Sequence, residues 1–278
     1  MKTIDYTEIL EMSTAERQRY MNESPTILPT MLANIGNEHA QIRDQHNYRL
    51  FILALSENAW SENSIHQFVE QLASNEGLTF QLGEKQAISV YQRSYSALFL
   101  AAIVNADRQL AYLTEHEIAH IAQQAIELLD KEQDLRSFVN EQQGWAHSIA
   151  NVSELLCAII QHPKYPIRYT AQILQAIRAA IWKGYVFQDD EEERFCNIIE
   201  ALLAKGIDEQ LFIEWVEQLF DRLERIAYEQ GYSAVWFKAR TNQLNLVKTL
   251  YFYLKFTNGH EQLRGVVSIF IQRWIKLT

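Results

Sequence analysis

Glycine and proline are scarce in this chain, with 9 and 4 among 278 residues. That shortage argues against the turn-rich all-β classes, whose many short strands need a break every few residues. Only two cysteines occur, Cys157 and Cys196, each inside an apolar run. Two such thiols make neither a disulfide framework nor a zinc cage, and they fit a reducing compartment. No apolar run approaches the roughly 20 residues of a spanning helix. The first residues, Met1-Lys2-Thr3-Ile4-Asp5-Tyr6-Thr7-Glu8, carry carboxylates where a secretory signal would be apolar. The expectation is a cytoplasmic protein with no membrane segment. Positive charge is also short, with 25 Lys and Arg against 35 Asp and Glu and a net charge of −10. A nucleic-acid backbone is therefore a poor ligand, since binding one needs a dense basic face. A basic stripe joining Arg168, Arg178 and Lys183 would reopen that class.

What is abundant is helix-forming sequence. Hydrophobic residues make up 48% of the chain, enough for a continuous core, and they recur with helical periodicity from end to end. The breaks follow local chemistry. Ser13 with Glu16 makes a capping box, and Pro25 and Pro29 interrupt the next turn. Gly77 and Gly83 bracket a loop, and Pro163 with Pro166 form a stop. Farther on, Asp189 and Asp190 open a helix, Gly206 closes it, and Gly231 and Gly259 separate the last three. About a dozen helices result, with no linker between them. Leu78-Thr79-Phe80-Gln81-Leu82 alternates like a strand but is too short and isolated to found a sheet.

The apolar helices also keep a beat. Tyr48 to Leu55 and Tyr95 to Ala102 are near copies in pattern, and further helices are expected to start near Trp145, Arg194 and Asn245. A step of about 50 residues lies slightly above the HEAT and armadillo units. The expected fold is all-α, an α-solenoid of stacked helix pairs resembling HEAT or armadillo arrays, with residues 1–278 forming a single domain of about five pairs. An irregular helical bundle is the alternative. A solenoid would place its binding surface on the concave side. Tyr251, Phe252, Tyr253 and Phe256 spread over more than one helix face, as core packing or a subunit contact would require.

Two places could carry chemistry. His116-Glu117-Ile118-Ala119-His120 has the spacing with which two histidines hold zinc while a glutamate activates water. However, helical phasing puts Ile118, Ile121, Ala125, Leu128 and Leu129 toward the core and both histidines opposite, and no third histidine follows at the required spacing. A zinc protease is accordingly disfavoured, and neither a metal nor a cofactor is expected. The acidic run Asp189 to Glu193 reads as a solvated helix start. There is no glycine-rich phosphate loop and no nucleophile elbow.

The second place is Asp130 to Leu156, where charged residues lead to Gly144-Trp145-Ala146-His147 and a helix from Trp145 to Gln161. Ile149, Val152, Leu156, Ile159 and Ile160 share its buried side, and His147, Asn151 and Glu154 form the opposite stripe. Such a stripe could bind a cation or a polar ligand, with Glu154 raising the basicity of His147. It could equally tie one repeat to the next, with Arg136 satisfying carboxylates or helix carbonyls. Gly144 suggests a tight loop, with the Trp145 indole anchoring the corner.

From Asp134-Leu135-Arg136 through Gly144-Trp145-Ala146-His147 to Glu154-Leu155-Leu156, the chain resembles bacterial proteins grouped as domain of unknown function family 2785. Their signature reads Asp-Leu-Arg-Gly-Tyr, then Gly-Trp-Ala-His, then a second His and Asp-Leu-Leu. Asn245 to Phe252 looks like that family's closing helix, and the helix near Glu191 to Arg194 adds to the likeness, which spans roughly Tyr95 to Phe256. The resemblance implies an all-helical, repeat-like fold and no assigned activity. Three departures stand out: Asn151 replaces the second His, Glu154 the Asp, and Ser137-Phe138 the Gly-Tyr. A role that needs both histidines does not carry over. The leading expectation is a binding or scaffolding module for a peptide, a protein or a small polar molecule, using Arg136, Trp145, His147, Asn151 and Glu154. The alternative is a hydrolase with His147 as acid or base beside Glu154 and Arg136 placing an anionic substrate. No residue is assigned a catalytic role, and the sequence does not decide between enzyme and binder.

Overall fold

Side-chain caps open six helices among the described residues, at Asp5, Ser13, Ser61, Thr114, Asp208 and Ser233. The structure is a computed structural model that describes residues 5–275, so residues 1–4 of the acidic N-terminal stretch lie outside it. The described residues form thirteen α-helices, a π-helical stretch, one short 3-10 turn and one short hairpin, an all-α protein as composition and periodicity predict. No helix among them is long and apolar enough to cross a membrane. The chain divides into two compact units, Met1–Ile167 and Arg168–Thr278.

The N-terminal unit opens with α1 (Tyr6–Glu11), α2 (Thr14–Glu23) and α3 (Ile27–Ala33). The expected capping box starts α2: Ser13 caps the Glu16 amide while the Glu16 carboxylate returns to the Ser13 amide at 3.0 Å. Pro25 lies in the turn before α3 and Pro29 in its first turn, where a missing N–H is tolerated. A widened π-helical stretch (Gln41–Tyr48) runs into α4 (Arg49–Ser56), followed by α5 (Glu62–Leu72). The longer α6 (Ser89–Leu110) and α7 (Glu115–Lys131) come next, then a hairpin of β1 (Phe138–Asn140) and β2 (Gly144–Trp145), then α8 (Ser148–Gln161). Residues 78–82 form turns and no strand.

α6 and α8 pack against each other as the centre of this unit. Their apolar faces bury Phe99, Leu100, Ile103, Val152, Leu155 and Ile159, among others. At their C-terminal ends a buried pair joins them, with His162 Nε2 3.1 Å from Asp107 Oδ2. The other His162 nitrogen, Nδ1, accepts the Lys164 amide at 3.1 Å. Asp107 also receives the amides of Tyr112 and Leu113. Those contacts close α6 where Ala111 turns left-handed at φ +57°.

The C-terminal unit contains α9 (Thr170–Ile181), α10 (Glu191–Ala204), α11 (Glu209–Gln230), α12 (Ala234–Thr257) and α13 (Glu261–Ile275). α12 packs on α10 and α13, and α11 on α13. Phe195, Ile198, Phe212, Val216, Phe220, Val247 and Leu250 fill its core. Side chains that reach across to backbone fix the spacing. Trp215 Nε1 donates to the Leu174 carbonyl at 2.9 Å, tying α11 to α9. Asn242 on α12 holds the loop after α9 through the Ile181 and Tyr185 carbonyls and the Phe187 amide.

Four expected helix starts move. Tyr95, Arg194 and Asn245 fall inside α6, α10 and α12, each of which begins earlier, because apolar periodicity marks a buried stretch and not the end of a helix. Trp145 is not helical either. It pairs with Phe138 in the hairpin, and α8 begins only at Ser148.

Candidate functional site

The end of α7 is sealed by a carboxylate that never reaches solvent. Glu132 is fully buried and takes a two-pronged ion pair from Arg93 of α6, Nε to Oε2 at 2.8 Å and Nη2 to Oε1 at 2.9 Å. Ser148 Oγ donates to it at 2.8 Å, and the amides of Gln133 and Asp134 donate at 2.9 and 3.0 Å. Arg93, equally buried, turns its Nη1 to the Phe80 carbonyl and to Ser89 Oγ. Every strong donor and acceptor in the pair is thus occupied, the condition under which a buried ion pair is tolerated.

Two residues on, the pattern repeats nearer the surface. Asp134 is buried and binds Arg136 in a fork, Nε at 2.8 Å and Nη2 at 2.6 Å, while accepting the Ala87 amide at 3.2 Å. Arg136 Nη2 also donates to the Ala87 carbonyl at 2.8 Å. The Asp134 hydrogen bond lifts the Arg136 guanidinium above its ordinary value. The loop before α6 is thereby fastened to the hairpin.

A third arginine holds the far end. Arg43, buried in the π-helical stretch, lies 2.8 Å from Asp44 and donates to the Gln143 carbonyl at 2.7 Å and the Asn37 carbonyl at 2.9 Å. Its guanidinium sits over the rings of Tyr91 and Tyr95, 4.2 and 4.5 Å from their centroids. Gly144 explains itself here. It turns at φ +67°, and a Cβ on it would meet Ala40 at 3.0 Å and the Arg43 guanidinium at 3.4 Å.

On this frame the hairpin delivers its other side chains. The Ala146 amide donates to the Ser137 carbonyl, and the Ala146 carbonyl accepts Ser94 Oγ of α6. Asn151 on the first turn of α8 donates to that same Ser94 Oγ at 2.8 Å. His147, left-handed at φ +49°, is the N-cap position of α8 and lies half-buried. Its ring rests 4.4 Å from Trp145, whose indole meets Phe138 edge-on at 5.2 Å. Phe138 and Trp145 stay open to solvent, 46% and 42% exposed. Glu154 is exposed farther along α8, and burial together with the nearby Glu154 carboxylate pushes the Tyr48 hydroxyl up to about 12.

The five nominated residues therefore divide. Arg136 is engaged by Asp134 and a carbonyl, and Asn151 by Ser94. Trp145 and His147 form a ring pair on the hairpin, and Glu154 is a surface charge. The indole does not anchor the corner, as Gly144 had suggested; it is displayed. Missing from the nominations were Glu132, Arg93, Arg43, Ser94 and Phe138. One signal was available, an arginine at 93 and a serine at 94 in a run otherwise apolar enough to be buried, since buried polar groups must find partners.

The zinc-like motif serves a different end. Glu117 is the third residue of α7 and closes a second capping box, accepting the Thr114 amide and hydroxyl at 2.8 Å each, with His66 Nδ1 at 2.6 Å. His116 and His120 are exposed, as helical phasing predicted. Among the described residues no group of three or more His, Cys, Asp or Glu is arranged to hold a metal.

Together these features define an all-helical protein in which buried arginine–carboxylate pairs brace a displayed aromatic hairpin. The chain belongs to the family described as "Protein of unknown function (DUF2785)", whose model matches residues 78–252 and so covers the braced hairpin. No curated protein and no solved structure matches it.

Proposed function

We propose that the chain is a cytoplasmic binding module, a helical-repeat protein of the HEAT-like solenoid type, which recognises a peptide or protein segment through the hairpin face. One observation carries this reading. Arg136, the Gln143 carbonyl and Asn151 are occupied in bracing, while the aromatic residues Phe138 and Trp145 are left exposed on a backbone held at both ends. Exposed, rigidly supported aromatic side chains are what protein interfaces use as anchors, because they bury much area at little entropic cost. His147 and Glu154 add a polar edge to the same stripe. The packing of α6 on α8, and of α12 on α10, supports paired helices within each unit.

A hydrolase built on His147, Glu154 and Arg136 has less behind it, since the Arg136 guanidinium that would place an anionic substrate is engaged by Asp134 and Ala87. The test is affinity capture from extract of the producing cells, run in parallel with wild type and a Phe138→Ala/Trp145→Ala variant. A partner retained by the first and lost by the second is expected. Identical capture by both sinks the hairpin as the recognition element.

A further inference from the structure

Three arginines line one pocket of the C-terminal unit, none of them in an ion pair among the described residues. The groove between α9 and α11 opens into a pocket of about 650 Å³. Arg178 enters from α9, and Arg222 and Arg225, three apart on one face of α11, enter from the other wall. Among the described residues, the arginine ion pairs are those of Arg17, Arg43, Arg93, Arg136, Arg264 and Arg273, and none involves this trio. Arg178 Nη1 donates to the neutral Gln218 at 3.2 Å. The Arg222 guanidinium lies over Trp182, 4.7 Å from the ring centroid.

The acidic residues nearby do not cancel this charge. Glu224 lines the pocket but already takes Arg273 Nη2 at 2.6 Å, and Asp221 is exposed, outside ion-pair distance of all three. Burial, followed by the like charges of Arg178 and Arg225, pulls the Arg222 guanidinium below its ordinary value. In a chain with 35 acidic and 25 basic side chains, carboxylates are plentiful, yet none closes on these cations. Like charges gathered on one pocket favour an anionic ligand there.

We propose that this pocket binds a phosphoryl-group anion, clamped between Arg178 on α9 and the Arg222/Arg225 pair on α11. The match is chemical. Planar guanidinium forks bind tetrahedral oxyanions two oxygens at a time, and three forks from two walls surround such a group. Stacking on Trp182 fixes the direction of the Arg222 fork before the ligand arrives, which lowers the entropy cost of binding. Tyr228, 93% exposed on the same pocket, offers a ring face to the organic part of an aromatic phosphate ester.

The experiment is isothermal titration calorimetry on the full chain at low ionic strength, with inorganic phosphate and then adenosine monophosphate, against sodium chloride at matched ionic strength. Saturable phosphate binding that chloride does not reproduce is expected, weakened about tenfold by Arg178→Gln and by Arg225→Gln. The ligand-free melting temperature of each variant is expected to hold or rise, because like-charge repulsion has been removed. Should either glutamine variant fail to fold, Arg178→Lys or Arg225→Lys keeps the charge while removing the fork, and the same weakening is expected. Tighter binding of the nucleotide than of phosphate, with the gain lost in Tyr228→Ala, identifies an aromatic phosphate ester as the source. Equal affinity identifies free phosphate or a simple ester. The proposal is overturned if neither anion binds saturably, or if affinity is unchanged in the double Arg178→Gln/Arg225→Gln variant. Preference for a single-stranded RNA oligomer over both small anions also overturns it.

Discussion

Arginine is used in opposite ways in the two units. Around the hairpin, Arg43, Arg93 and Arg136 each meet a carboxylate, Asp44, Glu132 and Asp134, and each also donates to a backbone carbonyl. On the α9 and α11 pocket, Arg178, Arg222 and Arg225 meet one another, an amide side chain and an indole. A satisfied pair far from water is a poor ligand site, because a ligand would have to displace partners already in ideal geometry. An unsatisfied cluster is a poor structural element, because its members repel. The first arrangement therefore builds a frame, and the second awaits an anion.

The largest test of that contrast removes one charge from each region. Glu132→Ala leaves Arg93 buried without a counter-ion and is expected to cost about 3–5 kcal/mol in chemical denaturation. Replacing both partners, Glu132→Leu with Arg93→Met, should return much of that loss, since the uncompensated charge is gone. Arg225→Gln, an equal loss of one charge, should leave stability unchanged or raise it by no more than about 0.5 kcal/mol. Comparable destabilisation in both regions would erase the distinction between frame and site.

Next in size is Ser94→Ala. Its hydroxyl donates to the Ala146 carbonyl and accepts from Asn151, so its loss strands a buried acceptor and a donor at the hairpin exit. The expected cost is about 1–3 kcal/mol, read from a denaturant midpoint shift at constant m-value. A neutral result would mean that the left-handed turn at His147 does not depend on α6. Smaller still is the Phe138→Ala/Trp145→Ala change on the displayed side. It removes the edge-to-face Phe138–Trp145 pair and the Trp145–His147 ring contact, together for about 1–2 kcal/mol. A loss much larger than that would place these rings in the frame and leave the hairpin without a recognition surface.

Local chemistry was legible in the sequence, and pairing over distance was not. Ser13 with Glu16 announces a helix start through an interaction three residues long, and it is present, while the like box of Thr114 with Glu117 before α7 comes from the structure. The all-α class follows from periodicity summed over the whole chain. The hairpin left no such trace, because strands of three and two residues are too short to show alternation. Asp130 to Arg136 reads as a charged lead-in to a candidate site, and nothing in the run marks one carboxylate for burial. Glu132 within it is nonetheless buried, because its partner Arg93 comes from another helix 39 residues away, a separation no spacing rule detects. The same blindness applied to Arg178, seen earlier only as part of a stripe with Arg168 and Lys183. The residues that share its pocket lie on α11.

The finest test concerns the polar edge of the hairpin face, where Tyr48 is held protonated by burial and by the Glu154 carboxylate, its hydroxyl pushed up to about 12. A tyrosine raised above its unfolded value near 10 keeps its proton longer in the folded protein. Its contribution to stability is therefore full below about pH 10 and is lost as pH rises through about 12. Glu154→Gln removes the smaller of the two causes. It should lower the Tyr48 value without restoring the ordinary one, since burial remains. The measurement is the alkaline limb of stability against pH for wild type, Tyr48→Phe and Glu154→Gln. The phenylalanine variant should lose less stability than wild type over that range, with the glutamine variant departing from wild type by a smaller amount. If Glu154→Gln leaves the limb unchanged, Glu154 acts as an isolated surface charge, and the recognition face contracts to Phe138, Trp145 and His147.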